Sequence, residues 1–514
     1  MRNVALRTLT SWLLCTALAA PPAALAQDAS LADLIQRGDP AVAEMLRVGM
    51  DVNQRQADGT SALHWAVYRN DVALVQQLLS READPNAKNL FGSTPLMEAV
   101  KIANADTVAL LLDAGADPNL ANEDEQTPLM LAANVGVLPV AKLLVDHGAD
   151  VNAVEQWRGQ TALMWAAAGN HGEVAELLIA HGADVNVRAD AFDWSTQISS
   201  EPRGQYRLTG GLTPLLYAAR GGCRQCVDAM LAAGADINLP DPDGVTPLII
   251  AIDNQHYDLA AHLMEQGANP HSWDWWGRTP LYVAADMNSY RSGPGEDGDG
   301  AGGDTRDAVD MMRLLLEAGV DPDPQLNMHR PGRGGGSGRF TDDLLNSGAT
   351  PLLRAANSLD IEAIRVLLEH GAMVDLPNAM GVTPLMAAAG FGSPRGVLAG
   401  RFTPQDQAKA IAVLDLLLAA GADIDARVLD TTSLTARIAR RSSMTDRTGQ
   451  SAVYGAIGQG WVDVVTYLVE HGASLDILDA EGKTPLDAAN GLAGGRVDRP
   501  IEAMVSYLEA RQAQ

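Results

Sequence analysis

Two cysteines three residues apart, Cys223-Arg-Gln-Cys226, are the side chains best placed to do chemistry. Such a pair can exchange thiol for disulfide, hold a metal or anchor a haem. Haem attachment needs a histidine directly after the second cysteine, where Val227 stands. Zinc needs two further ligands at paired spacing, and the chain offers none. A local disulfide, two reduced structural thiols and a redox-active pair stay open, and an oxidising compartment favours the first.

The ten histidines bear on hydrolytic or metal chemistry. His147, His181, His370 and His471 each precede a recurring glycine, where a partly positive ring suits the end of a helix dipole. His64, His171 and His256 also fall at repeated positions. His262, His271 and His329 remain, with no serine or cysteine nucleophile pattern beside them. Neither Gly-x-Ser-x-Gly nor His-Glu-x-x-His occurs. Arg333–Gly338 is glycine-rich, but no Gly-Lys-Ser/Thr follows and no strand precedes, so it reads as a linker rather than a phosphate loop. Asp297, Asp299 and Asp304 suggest calcium until Ala301 and Ala308 appear where a binding loop needs oxygen ligands. The expectation is therefore a chain without catalytic residues, metal or cofactor, and not an enzyme.

The elements behind these residues recur. Thr-Pro-Leu begins at Thr94, Thr127, Thr213, Thr246, Thr279, Thr350, Thr383 and Thr484. Ser61, Thr161 and Ser451 open related triplets in the same register. Six of the intervals are 33 residues, and the three long ones, 52, 71 and 68, mark insertions. A glycine, usually in Gly-Ala-Asp, closes the units at Gly115, Gly148, Gly182, Gly234, Gly267, Gly319, Gly371, Gly421 and Gly472. Between the landmarks lie two short apolar patterns of helical spacing. Thr can cap the first helix, Pro suits its first turn, and Gly can end the second. Small residues such as Ala166, Ala167 and Ala168 let helices approach closely. One helix pair cannot bury its apolar face alone, so units must stack.

These units resemble the ankyrin repeat, whose usual Thr-Pro-Leu-His-x-Ala is matched best by Ser61-Ala62-Leu63-His64-Trp65-Ala66. The resemblance covers nearly all of the chain after its first residues. It implies an all-α repeat solenoid, an array of about 12 helix-turn-helix units with β-hairpin loops. The expected organisation is a signal peptide over 1–26, an N-terminal capping repeat over 27–59 and repeats over 60–187. An insertion at 188–210, containing Phe192, Trp194 and Tyr206, precedes repeats over 211–321 with an internal loop at 288–306. A Gly-rich linker at 322–347 leads to repeats over 348–426 with an internal loop at 391–408. A second insertion at 427–447 carries Arg437, Arg440, Arg441 and Arg447, and repeats with a C-terminal cap fill 448–514.

Arg2 and Arg7, an apolar stretch from Leu9 to Ala20 and Ala24-Leu25-Ala26 read as a cleavable export signal with cleavage before Gln27. The alternative, a membrane anchor, suffers from a short apolar core ended by Pro21-Pro22. Bulky Leu14 argues against lipidation at Cys15. The expected location is the periplasm or the exterior, with no membrane insertion once the signal is removed. Losing the two arginines takes the net charge from −27 to −29. That balance argues against nucleic acid and permits a basic partner.

In the ankyrin family partners lie along hairpin tips and the exposed ends of first helices. Carried over residue by residue, this implies partner contacts at Tyr68, Arg69, Lys101, Trp157, Arg158, Arg220, Trp275, Trp276 and Arg278. Trp and Arg most often dominate interface energy. Trp65 and Trp165 share a position suited to packing between repeats. The expected function is an exported, monomeric scaffold for an unidentified protein partner. Two alternatives stand beside it: an accessory or redox-active factor using Cys223 and Cys226, and a small-ligand or carbohydrate binder using the Trp273–Trp276 cluster.

Overall fold

The computed structural model describes residues 29–193, 208–291, 304–327, 347–391, 404–430, 446–492 and 501–513. The export signal, Trp194, Tyr206, Asp297, Asp299, His329, the Arg330–Phe340 stretch and Arg437, Arg440 and Arg441 lie outside these residues. The chain falls into two compact units, one of residues up to 132 with 139–149, the other of 133–138 with 150 onward.

Each unit is built from antiparallel helix pairs, 24 helices among the described residues. The all-α repeat solenoid expected from the sequence is the observed architecture. The local physics is visible in Pro95–Ile102. The Thr94 hydroxyl accepts from the Met97 N–H at 3.2 Å, and Pro95 occupies the first turn, where no amide donor is needed. Thr213, Thr246, Thr350 and Thr383 cap their helices the same way. Ala103 then turns the chain at φ 64°, and Asn104 caps the second helix, Ala105–Asp113. That helix ends at Gly115, whose φ of 89° is the left-handed conformation glycine adopts most readily. Where histidine precedes the closing glycine, its Nδ1–H donates to a carbonyl one turn back. His181 reaches the Leu177 carbonyl at 2.8 Å, and His147, His370 and His471 make the equivalent bond. The ring thus adds a second donor to a carbonyl in the last turn that already accepts the histidine's own N–H.

Stacking rests on small side chains. Five residues after each cap stands an alanine: Ala66, Ala99, Ala132, Ala166, Ala218, Ala251, Ala284, Ala355, Ala388, Ala456 and Ala489 are all fully buried. Leucines on the second helices, including Leu78, Leu144, Leu178, Leu263 and Leu417, fill the space behind them.

Side chains also tie one repeat to the next. His64 accepts from the Ser61 N–H through Nδ1 and donates through Nε2 to the Ser93 carbonyl at 3.0 Å. Burial keeps the ring below its ordinary pKa and therefore neutral. An asparagine after the closing glycine forms a second tie. Asn86 Nδ2 donates to the Gly115 carbonyl at 2.9 Å, and its Oδ1 accepts from the Asp117 N–H at 2.8 Å. Asn53, Asn152 and Asn186 repeat this two-way bond.

The expected β-hairpin loops are mostly tight turns. A sheet forms at the 188–210 insertion, where Ala191–Asp193 pairs antiparallel with Leu208–Gly210 in the register Ala191 to Gly210. Elsewhere the arms close on four-residue turns, too short for a ladder, such as the bond from the Asn89 N–H to the Ser93 carbonyl at 3.1 Å. Helices Pro280–Arg291 and Pro404–Ala419 extend into the stretches 288–306 and 391–408.

Replacing Ala251 with leucine forces a four-carbon side chain into the first-helix contact. Urea unfolding of Ala251→Leu should show a loss of about 1–3 kcal/mol. An unchanged midpoint would mean the close helix approach is not constraining.

Candidate partner-binding surface

The turns between repeats are shaped by one acceptor each. Asn89 Oδ1 accepts from the N–H groups of Phe91 and Ser93, both at 3.0 Å. Glu155 does this with a longer arm, accepting from the N–H groups of Trp157, Arg158 and Gln160. Asp241, Asp274, Asn378 and Asp479 fill the same role. Successive turns are then joined through the backbone. The Leu90 N–H donates to the Asp58 carbonyl at 2.8 Å, and the Trp275 N–H to the Asp243 carbonyl at 2.7 Å. A turn glycine makes room for this contact: a Cβ at Gly92 would come within 2.6 Å of the Glu123 nitrogen.

With the backbone held, the residue two before the turn glycine points outward. Leu90 is 71% exposed, Trp157 69% and Trp275 49%. Trp273 lies two residues earlier and is 66% exposed. Arg158 is exposed beside Trp157. Leu90 and Phe91, at 71% and 74% exposure, escaped the sequence reading, although they occupy the same turn as the tryptophans.

The helix-end residues are also open. Tyr68 is exposed and meets the Trp65 ring edge-on at 5.6 Å, while Arg69 follows it at the helix end. Trp65 donates to Gln56, which anchors it between repeats. Lys101 is exposed and pairs with Glu98 at 3.1 Å. Arg220 is exposed, with its guanidinium 4.8 Å above the Tyr217 ring. His256 Nε2 donates to its carbonyl at 3.1 Å.

Repeating helix pairs, Thr-Pro caps, backbone-joined turns and the histidine tie are the anatomy of one family. The chain belongs to the ankyrin-repeat family. The family described as ankyrin repeats (3 copies) matches residues 31–122, 96–189, 198–274, 215–292 and 306–399, more than half of the chain. Ankyrin repeats are protein–protein interaction modules. Rabankyrin-5 of Mus musculus is 38% identical over 60 residues, which cover 12% of this chain and 5% of that protein. An ankyrin repeat protein of Rickettsia bellii (strain RML369-C) is 27% identical over 188 residues, 35% of this chain and 45% of the relative. Cyclin-dependent kinase inhibitor 2A of Homo sapiens is 30% identical over 152 residues, 30% of this chain and 75% of that protein. The chain spans less than half the length of the mouse and rickettsial proteins.

Two expected contact residues of this ankyrin array are corrected. Trp276 is 3% exposed and Arg278 7%, so neither is open to a partner. Arg278 Nε donates to buried Asp274 at 2.6 Å, Asp253 lies 3.8 Å away, and the guanidinium stands 5.3 Å from the Trp276 ring. The carboxylates make burial of the charge tolerable, and the guanidinium lies over the indole ring. Trp276 and Arg278 therefore hold the turn that displays Trp275.

Cys223 and Cys226 are joined as a disulfide, with Cα atoms 5.3 Å apart and both side chains buried. The bridge lies at the start of helix Arg224–Ala232 and pins its first turn. Among the described residues no His, Cys, Asp and Glu group could hold a metal ion, and no helix is long and apolar enough to cross a membrane.

Beside this surface sits Asp241. Burial pushes its carboxyl up to about 6, with Asp243 and Asp274 adding to the rise and the Val245 and Asp243 N–H groups opposing it. The folded chain thus holds this proton more tightly than the unfolded chain. Its stabilising contribution is present below the ordinary carboxylate range and is lost as pH rises through about 6. Asp241→Asn should therefore raise the melting temperature above that pH and flatten its dependence between mildly acidic and neutral conditions. In calorimetry, Trp276→Ala should cost about 3 kcal/mol or more, whereas Trp275→Ala should stay within about 0.5 kcal/mol of wild type.

Proposed function

We propose that the protein is an exported, non-catalytic ankyrin-repeat scaffold that captures a protein partner through its exposed turns and first-helix ends. Trp157, Trp273 and Trp275, held outward by fixed backbone turns, are the observation that carries this reading. An exposed tryptophan on a rigid support gains contact area at low entropic cost, the usual basis of an interface hot spot. Arg158 and Arg220 add positive charge within a chain of net charge −27, so they offer local selectivity against its acidic background. Tyr68, Arg69 and Lys101 supply the corresponding helix-end contacts.

Export is supported by the Arg2, Arg7 and Leu9–Ala20 pattern and by a disulfide suited to an oxidising compartment. The buried position of both cysteines favours a structural bridge over redox exchange, because an attacking thiolate has no path to either sulfur in the folded chain.

Fractionation of cells expressing the tagged chain should place the mature protein, beginning at Gln27, outside the cytoplasm. In-situ crosslinking should then capture a protein partner. The double variant Trp157→Ala/Trp275→Ala should weaken that capture at least about tenfold while melting like wild type. Undiminished capture by a well-folded double variant would remove the tryptophans from the interface. Recovery of the intact chain in the cytoplasm would remove export.

A further inference from the structure

The ties that link successive repeats change chemistry along the chain. Four residues after the closing position stand Asn53, Asn86, Asn119, Asn152, Asn186 and Asn238, then His271, then Asp323, Asp375, Asp425 and Asp476. Asn53, Asn86, Asn152 and Asn186 are bifunctional. Asn152 donates through Nδ2 to the Gly182 carbonyl at 3.0 Å and accepts through Oδ1 from the Asp184 N–H at 2.9 Å.

The aspartates keep only the accepting half. Asp323 accepts from the Met373 N–H at 3.0 Å, Asp375 from the Asp423 N–H at 2.9 Å, and Asp425 from the Ser474 N–H at 2.8 Å. An ionised carboxylate has no hydrogen for the glycine carbonyl that the asparagine would reach. The consequence is visible at Asp375, whose Oδ1 is buried without a hydrogen-bond partner. A protonated carboxyl has the donor and acceptor pattern of an amide in nearly the same shape.

We propose that Asp323 and Asp375 form an acid-strengthened clasp between the later repeats, in which protonation restores the donor that asparagine supplies in the earlier ones. The glycines in line to accept are Gly371 and Gly421.

The electrostatic surroundings act in the same direction. Burial pushes the Asp323 and Asp375 carboxyls above the ordinary range; the N–H from the next repeat opposes this, and Asp321 and Asp423 add to it. Asp423 also accepts from the Asp425 N–H at 3.0 Å. The donors from the next repeat are the Met373 and Asp423 N–H groups, and Asp423 brings a carboxylate with it. The sign follows. The clasp is fully formed below the ordinary carboxylate range and weakens as pH rises through the raised folded values.

The test is thermal unfolding of the full chain at about pH 7.5 and about pH 5, each variant being compared with wild type at the same pH. Asp323→Asn/Asp375→Asn should melt about 2–4 °C higher at the upper pH, and the gain should shrink on acidification. The reverse graft, Asn152→Asp/Asn186→Asp, should melt lower at the upper pH and recover at the lower one. Comparison at fixed pH removes the general effect of neutralising other acids. A gain or loss equal at both pH values in either pair, or a fall in melting temperature for the Asp→Asn pair at the upper pH, would overturn the clasp. Should the Asp→Asn pair not fold, the graft alone decides.

Discussion

Close approach of the first helices at one alanine per repeat is the constraint from which the rest follows. From Ala66 to Ala489 this position is fully buried in both compact units. A single methyl group sets how near neighbouring backbones come, and therefore the step between repeats. At that step a turn can donate to the carbonyl of the turn before it, as Trp275 does to Asp243. It also lets an asparagine side chain bridge two closing segments, as Asn86 does. Every long interval in the sequence leaves this contact intact. The insertions fall in connections, where extra chain costs loop entropy that grows slowly with length rather than packing energy.

Buried charge is handled by pairing between elements that the alanines have already brought together. Arg278 lies between Asp274 and Asp253, and Arg354 pairs with Asp286 on the preceding first helix while also meeting Ser358. Such pairs add little net stability compared with apolar packing, but removing one partner strands a buried charge. Arg354 and Asp286 sit in the repeats on either side of the longest interval, 71 residues between Thr279 and Thr350. There this pair binds Pro280–Arg291 to Pro351–Ser358 with groups that match only in one register. This is a specificity device more than a stabilising one.

The fold was readable because its determinants are local and repeated. A cap at Thr94, proline at 95, alanine at 99 and glycine at 115 each act within a few residues, and their recurrence averages away local noise. The binding surface was readable only in part, because exposure there depends on partners distant in sequence. Trp275 and Trp276 are adjacent and chemically identical. One is open and the other buried because Arg278 covers the second, and Arg278 is drawn inward by Asp274 and Asp253. Asp253 is 25 residues from Arg278, beyond any helical or strand spacing. Leu90 and Phe91 were missed for a different reason. Apolar residues at a turn look like core in a linear reading, and only the backbone bond from Leu90 to Asp58 shows that the turn is held with its side chains outward.

The same logic separates what the repeat must keep from what it is free to vary. Stacking demands alanine at the helix contact, a hydroxyl at the cap, a small residue at the turn and an amide-like group at the clasp. Nothing in the stack demands a particular side chain two residues before the turn glycine. That position holds Leu90, Glu123, Trp157, Pro242 and Trp275. A rigid backbone presents each of them at little entropic cost. A large aromatic residue there exposes apolar surface to water. The tryptophans at 157 and 275 are the side chains on which the proposed partner surface rests.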